Sequence, residues 1–336
     1  MQPNGIIFWD WNGTLLDDVD FTHGCLNWML ETHGYPQRYD LAEYREIFGF
    51  PIEEYYLRAG FDFARHPYPE LAARFMEHYN AGVERHCPAM ANAACDENTG
   101  VLEIGPGFGV LTAELSRVAR RVVAIELDER LKKVLPETLA DCKNVEIIYG
   151  DALKLDLRAL IKEHFADCER VAVCANLPYY ITSPVIMTLL ESKLPIDSVT
   201  VMVQKEAAER LCAEVGTREA GAVSVAVSYY SKPEILFTVD KESFMPPPKV
   251  DSAVIKLKIL EKPPVEVYDE RAFFRLVKCC FAQRRKTLVN TVSNTAGIEK
   301  ERIRTALNTL GISETARSEQ LTLAELAKLS NLLGGR

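Results

Sequence analysis

Beyond residue 100 the chain alternates apolar runs of strand length with amphipathic stretches of helical period. The strand-like runs are residues 101–104, 121–126, 145–149, 171–175 and 199–203, and this alternation predicts a doubly wound α/β sheet. Two further β-rich runs, 234–239 and 250–259, flank the segment Phe244-Met-Pro-Pro-Pro-Lys-Val250 and are expected to close the sheet as an antiparallel hairpin. After Pro263-Pro264 the pattern turns helical to the end, which predicts a small α-helical domain over 268–336 and a sheet domain over 97–262. The first 95 residues do not continue this pattern. They show one strand at 5–9, an acidic turn, and then mostly helical sequence rich in Tyr, His and Arg, so a separate piece is expected over 1–90, with the join between 86 and 96. No internal repeat or low-complexity tract is present.

Composition narrows the class. A chain of 336 residues with 48% hydrophobic content can bury ordinary globular cores in two or three domains. The N-terminus lacks a basic region followed by an apolar core, and no apolar run approaches the roughly 18 residues that span a bilayer. A cytoplasmic protein without a membrane partner is expected. The nine cysteines contain no C-x-x-C pair, which points to reduced thiols rather than disulfides or a metal site. The net charge of −9 is unevenly placed: residues 1–95 hold 14 acidic and 6 basic side chains. The near-neutral remainder can carry a basic face, so overall acidity does not exclude RNA.

The chemistry concentrates at strand ends, where doubly wound sheets bind ligands. In Val101-Leu-Glu-Ile-Gly-Pro-Gly-Phe-Gly-Val-Leu-Thr112, Gly105 and Gly107 suit a nucleotide loop, but Gly109 comes early for a dinucleotide fingerprint and Val110 occupies the sixth place. Glu103 would repel a pyrophosphate and suit a cationic amine or sulfonium, which points to S-adenosylmethionine. Glu126, about 20 residues past the first glycine, can accept from both ribose hydroxyls. Asp151 can accept from an adenine amine, with Leu127 and Ala152 sandwiching the ring.

The fourth strand ends in Cys174-Ala-Asn-Leu-Pro-Tyr-Tyr180. An exocyclic base amine is a poor nucleophile because its lone pair is delocalised into the ring. Two acceptors on its hydrogens draw the nitrogen toward tetrahedral geometry. Asn176 offers a side-chain oxygen, the Leu177 carbonyl held by Pro178 offers another, and Tyr179 can stack on a base taken out of its helix. Transfer would be an in-line displacement dominated by positioning, with no metal needed.

Residues 97–336 closely resemble the small-subunit ribosomal RNA adenine dimethyltransferases. The resemblance rests on Leu-Glu-Ile-Gly-Pro-Gly, Asn-Leu-Pro-Tyr, Val203-Gln-Lys-Glu206 with Glu209-Arg-Leu211, Phe244-Met-Pro-Pro-Pro-Lys-Val-Asp-Ser252, and Phe281-Ala-Gln-Arg-Arg-Lys-Thr-Leu288. It implies a Rossmann-like methyltransferase domain followed by a small helical domain, acting as a monomer by default on the immature small subunit. It further implies that Gly105, Glu126, Asp151 and Asn176 lie at the cofactor and that Phe244 gives the target adenine a second aromatic face. Arg284, Arg285 and Lys286, with Lys205, Arg210 and Lys249, become candidates for RNA phosphates, which supply affinity without sequence choice. Two rivals remain: a large-subunit adenine methylase of the antibiotic-resistance type, and a non-catalytic ribosome-assembly factor that only binds RNA.

The N-terminus departs from that family, whose usual Gln-Asn-Phe-Leu cofactor cap is absent here. In its place stands Ile6-Ile-Phe-Trp-Asp-Trp-Asn-Gly-Thr-Leu-Leu-Asp-Asp18, which resembles the first motif of haloacid-dehalogenase-type phosphatases of the phosphoglycolate phosphatase-like group. That resemblance makes Asp10 the phosphoryl-accepting nucleophile, with Asn12 where many members have an acid/base Asp. Residues 19–85 look like the cap insertion of that fold. The Ser/Thr, Lys and acidic pair required after the cap do not follow, so a truncated fragment without a working phosphatase site is expected. Asp10, with Asp17 and Asp18, is left as a weak magnesium candidate. The expectation is a folded methyltransferase impaired by its replaced N-terminus.

Overall fold

The computed structural model describes residues 19–48, 52–83, 87–177, 179–241, 250–283 and 285–334. Asp10, Asp17, Asp18, the strand expected at 5–9, Pro178, Phe244, Lys249 and Arg284 lie outside the described residues. By contact density the chain divides into two compact units, one comprising residues 1–178 with 239–252, the other 179–238 with 253–336.

The first unit begins with four helices: α1 (Val19–Thr32), α2 (Leu41–Ile47), α3 (Ile52–Arg58) and α4 (Tyr68–Val83). Their apolar faces enclose a core of their own, drawn from residues 25–75 and rich in aromatics: Tyr44, Tyr55, Tyr56, Phe61 and Phe75 with Met29, Leu30 and Leu71. The α2 start is held by a reciprocal pair, in which the Glu43 N–H donates to the Asp40 carboxylate at 2.9 Å and the Asp40 N–H donates to the Glu43 carboxylate at 2.8 Å. Such a box satisfies two otherwise orphaned donors of a helix start. The N-terminal piece therefore has the means to fold as a helical subdomain.

Helix α5 (Cys87–Ala94) packs on α6 (Val110–Val118) and on the fourth strand, so it belongs with the sheet that follows. The strands are β1 (Thr99–Ile104), β2 (Arg121–Glu126), β3 (Val145–Tyr149) and β4 (Arg170–Asn176), with α7 (Leu135–Thr138) and α8 (Leu157–His164) between them. They run parallel in the order β3-β2-β1-β4. β1 is central and buried along its whole length, which is why it reads as an unbroken apolar run around a single Glu. In register, Glu103 sits between Ala124 and Cys174, and Glu126 pairs with Tyr149. The carboxyl ends of all four strands consequently fall on one edge.

The second unit contains α9 (Tyr179–Glu191), β5 (Ser198–Gln204), α10 (Lys205–Leu211), α11 (Ala222–Tyr230), β6 (Ser231–Val239) and β7 (Ser252–Ile259), then α12 (Glu270–Phe281), α13 (Leu288–Ala296), α14 (Lys300–Thr309) and α15 (Leu323–Leu333). Strands β5, β7 and β6 lie side by side in that order. The C-terminal helices pack against α11 through an aromatic seam, with Tyr230 stacked on Phe274 at 5.4 Å and Tyr229 edge-on to Phe274 at 5.1 Å. This seam, reinforced by Tyr230 Oη donating to Glu270 at 2.7 Å, is the physical reason the terminal helices group with α11. Among the described residues no helix is long and apolar enough to cross a membrane. All nine cysteines are free thiols.

Candidate cofactor and base-amine site

The loop after β1 turns on three glycines with left-handed backbones, Gly105 at φ 71°, Gly107 at 56° and Gly109 at 86°. Side-chained residues rarely adopt these angles. At Gly109 a Cβ would also lie 2.9 Å from Leu139, whereas at Gly107 it would meet nothing within 4 Å. The loop therefore packs tightly at its helix end and leaves open space at its middle, where a ligand backbone can approach.

Glu126 organises that open middle. Its carboxylate accepts from the Gly107 N–H at 3.1 Å and from the Asp128 N–H at 2.8 Å, and the residue is 2% exposed. Burial pushes its carboxyl upward, and these N–H groups offset part of that shift. Each carboxylate oxygen of Glu126 thus holds one backbone N–H. At the next strand end, Asp151 accepts from the Leu153 N–H at 3.0 Å and pairs with Lys154 at 3.0 Å. The hydrogen bond from Lys154, then that from the Leu153 N–H, hold its carboxyl below the usual carboxylate range.

Between these carboxylates stand uncovered apolar side chains. Leu127 is 69% exposed and Leu153 is 50% exposed, with Ala152 partly covered beside the latter. Large aliphatic side chains at that exposure, following adjacent strands, leave apolar surface available to a flat ring. Leu153 and Lys154 were not singled out from the sequence. Their signals were an apolar residue two positions past Asp151 and an acid–Lys spacing of three on a turn.

Glu103 differs from its expected role. It is 1% exposed, lies beneath the loop, and its Oε2 has no hydrogen-bond partner among the described residues. Burial raises its carboxyl to about 8, with the Thr112 hydroxyl offsetting part of the shift and Glu126 adding to it. The residue expected to suit a cation is thus covered in this structure, and burial favours its neutral form. The sign of the resulting pH dependence follows from proton uptake. The unfolded chain ionises this group near its ordinary 4.5, the folded chain near 8, so its contribution is full below about 4.5 and is lost as pH rises toward 8. In urea unfolding at pH 5 and pH 8, Glu103→Gln is expected to lose less stability than the parent over that interval, by more than about 1 kcal/mol, since each tenfold in proton affinity is worth about 1.4 kcal/mol. Equal losses in the two proteins would mean that Glu103 is ionised when folded.

Asn176 ends β4 with an exposed side chain, while Leu177 is 6% exposed and lies where a Gly105 Cβ would be 3.1 Å from its Cδ2. Leu177 thus anchors the turn under the glycine loop and presents Asn176 at the same sheet edge as Glu126 and Asp151. The side chain of Tyr179 lies outside the described set. The basic candidates among the described residues, Lys205, Arg210, Arg285 and Lys286, are in the second unit. Lys205 and Arg210 are exposed on α10, and Arg285 and Lys286 are exposed in the turn after α12, which ends at Phe281. Among the described residues no group of three or more His, Cys, Asp or Glu could hold a metal ion.

A cationic, adenine-bearing cofactor fits these features: carboxylates at two strand ends, exposed apolar side chains beside them, and open space over Gly107. Comparison with known proteins agrees. Ribosomal RNA small subunit methyltransferase A of Geobacillus thermodenitrificans is 50% identical over 244 residues, covering 72% of this chain and 83% of that protein. The Geobacillus kaustophilus protein of the same name is 47% identical over 279 residues, 82% of this chain and 92% of its own. Among solved structures, a dimethyladenosine transferase from Plasmodium falciparum superposes with a TM-score of 0.59 at 27% identity, over 73% of this chain and 94% of that one. The 23S rRNA methyltransferase ErmE does so with 0.57 at 26% identity, over 75% and 98%. Residues 83–334 match the ribosomal RNA adenine dimethylase family from end to end of the sheet and C-terminal helices, and the chain belongs to that family.

Proposed function

We propose that this chain dimethylates the exocyclic amines of two adjacent adenosines in small-subunit ribosomal RNA, using S-adenosylmethionine as methyl donor. The observation that carries the reading is the placement of exposed Asn176 at the end of β4, on the same edge as the glycine loop, Glu126 and Asp151. The names of relatives 47–50% identical to this chain favour the small subunit over the large-subunit alternative.

In this reading the cofactor, once bound, supplies an electrophilic methyl group, and the protein's residues do the rest. Glu126 takes the ribose hydroxyls. Asp151 accepts from the adenine amine, and Leu127 with Ala152 and Leu153 covers the ring faces. Asn176 and the Leu177 carbonyl accept the two hydrogens of the target amine, which turns the nitrogen lone pair away from the base. Tyr179 and Phe244 stack on the flipped base. Arg284, Arg285, Lys286, Lys205, Arg210 and Lys249 hold phosphates. Glu103 supports the loop from beneath.

Glu126→Ala is expected to weaken S-adenosylmethionine binding about 10- to 100-fold, in line with about 1.5–3 kcal/mol for hydrogen bonds to a charged group. Titration calorimetry measures it, with Glu126→Gln keeping one acceptor and losing less. Unchanged affinity in both variants would remove Glu126 from the cofactor site.

Residues 1–90 we read as a truncated phosphatase-type fragment without phosphatase chemistry. Its support is the helical bundle α1–α4 with a core of its own, as a cap insertion would have. The overall proposal is tested by transfer of labelled methyl groups to unmethylated small subunits, with isolated large subunits alongside. Incorporation into large subunits alone would replace it with the rival methylase, and subunit binding without any incorporation would replace it with the assembly-factor reading.

A further inference from the structure

We propose that the exposed face of α12, with Tyr268 at its head, is a docking surface for a single-stranded segment of RNA. Its cations follow the phosphates and Tyr268 stacks on an unpaired base; the inference rests on the chain acting on RNA. The sequence from 271 to 286 holds six basic residues, Arg271, Arg275, Lys278, Arg284, Arg285 and Lys286, and no acidic one, in a chain whose net charge is −9. A local excess of that kind in an acidic protein marks where a polyanion can approach.

The face is built by helical spacing. Positions 271, 275 and 278 follow one another at intervals of four and three, so they form one stripe, and all three side chains are exposed. The opposite side of α12 is buried through Phe273, Leu276, Val277 and Cys280. Arg285 and Lys286, exposed in the turn that follows, extend the row. None of these five cations makes a hydrogen bond or ion pair through its side chain among the described residues. The two acids that open the helix are engaged: Asp269 accepts from the Ala272 N–H at 2.9 Å, and Glu270 accepts from Lys193 at 2.7 Å and from the Tyr230 hydroxyl at 2.7 Å. The stripe does nothing for the helix itself. Like charges three and four residues apart repel, and Arg271 stands in the first turn, where the helix dipole disfavours a cation.

Tyr268, just before the helix, decides between a paired and an unpaired strand. It is 81% exposed, so its ring covers little of this chain's own core. Its backbone is nevertheless pinned: the Tyr268 N–H donates to Asn331 Oδ1 at 2.9 Å, and the Asn331 amide donates to the Glu266 carbonyl at 3.0 Å, which fastens the segment to α15. A ring on an already ordered backbone loses little freedom when a ligand covers it. Aromatic rings stack on any unpaired base while neighbouring cations take the phosphates, the combination that holds single strands without sequence choice. A duplex keeps its bases stacked on one another and offers the ring no open face. From Arg271 to Lys278 the stripe rises about 10 Å, room for more than one phosphate of a strand.

The test measures, by fluorescence anisotropy over a series of salt concentrations, binding of the full chain to a labelled single-stranded RNA of about 12 nucleotides and to the same strand annealed to its complement. The parent is expected to bind the single strand at least about fivefold more tightly than the duplex. Tyr268→Ala should weaken the single strand about tenfold and leave the duplex unchanged. Replacing Arg271, Arg275 and Lys278 together by Gln should flatten the slope of log affinity against log salt by about 2, since each phosphate contact to a single strand contributes about 0.7. Arg275→Gln alone, the milder change should the triple variant fail to fold, should remove about 0.7. Equal affinity of the parent for strand and duplex overturns the proposal, as does parental binding by Tyr268→Ala or an unchanged slope in folded Gln variants. Polyglutamate that displaces the RNA as well as an unlabelled strand does would overturn it in favour of an acidic protein partner. Methyl transfer to unmethylated small subunits is measured alongside. A parent that transfers none would sink the methyltransferase reading, and the RNA titration would still decide the α12 surface.

Discussion

Replacing Asn176 by Ala is expected to lower the rate of methyl transfer at saturating cofactor by at least about 100-fold. The amine to be methylated is conjugated with its ring, so its lone pair becomes available only when acceptors hold both hydrogens out of the ring plane. Removing one preorganised polar group that acts mainly in the transition state typically costs about 100- to 1,000-fold in kcat. Asn176 is suited to that role because it is exposed at the strand end while its neighbour Leu177 is packed beneath the glycine loop. Truncating it leaves the anchor in place, so loss of rate without loss of fold is the outcome that supports the role. Single-turnover transfer with saturating cofactor measures it. A variant that retains more than about a tenth of the parental rate would take Asn176 out of the chemistry, and a parent without activity whose subunit binding survives in the variant would favour the assembly-factor reading.

Tyr55→Ala is expected to destabilise the N-terminal helical bundle by about 3–5 kcal/mol, the range for deleting a large buried aromatic. Tyr55 is 1% exposed, meets Tyr44 edge-on at 6.1 Å, Phe48 at 5.2 Å and Tyr56 at 5.6 Å, and has few ways to be replaced by collapse of its neighbours. Burial also pushes its phenol well above the usual range, the mark of a hydroxyl cut off from water. The bundle core draws on residues 25–75 and none of the strand-end residues. Cofactor binding should therefore persist in the variant. Thermal unfolding followed by tyrosine fluorescence, beside cofactor titration, checks both halves. Loss of cofactor affinity in step with loss of bundle stability would show that the bundle supports the site and replaces the missing cap.

Much of the fold was legible before any coordinates. Residues 121–126 and 145–149 are strands over the expected bounds, and β1, β4 and β5 extend the expected runs by one or two residues at their ends. A central parallel strand is apolar on both faces, so its run is continuous and flanked by turn residues. The candidate site was chosen on the same ground, since polar residues at the carboxyl ends of such runs have few structural uses, and Glu126, Asp151 and Asn176 do end neighbouring strands or the turns after them. What escaped was whatever depended on depth. Glu103 reads like any acid beside a glycine loop, and only its position between Ala124 and Cys174 puts it out of reach of solvent. Leu153 reads as a core residue, and only the turn after β3 leaves it uncovered.

By itself the sequence determined the parallel sheet, the glycine loop and the family, because periodicity and motif spacing act over a few residues and need no knowledge of distant neighbours. The tertiary structure alone decided how deeply each carboxylate is buried, that Glu126 ties its own strand end to Gly107, and that the aromatic N-terminal helices close on a core of their own. The physical reason is that burial and pairing are properties of packed surfaces. Dielectric, pKa and hydrogen-bond satisfaction arise only where segments remote in sequence meet.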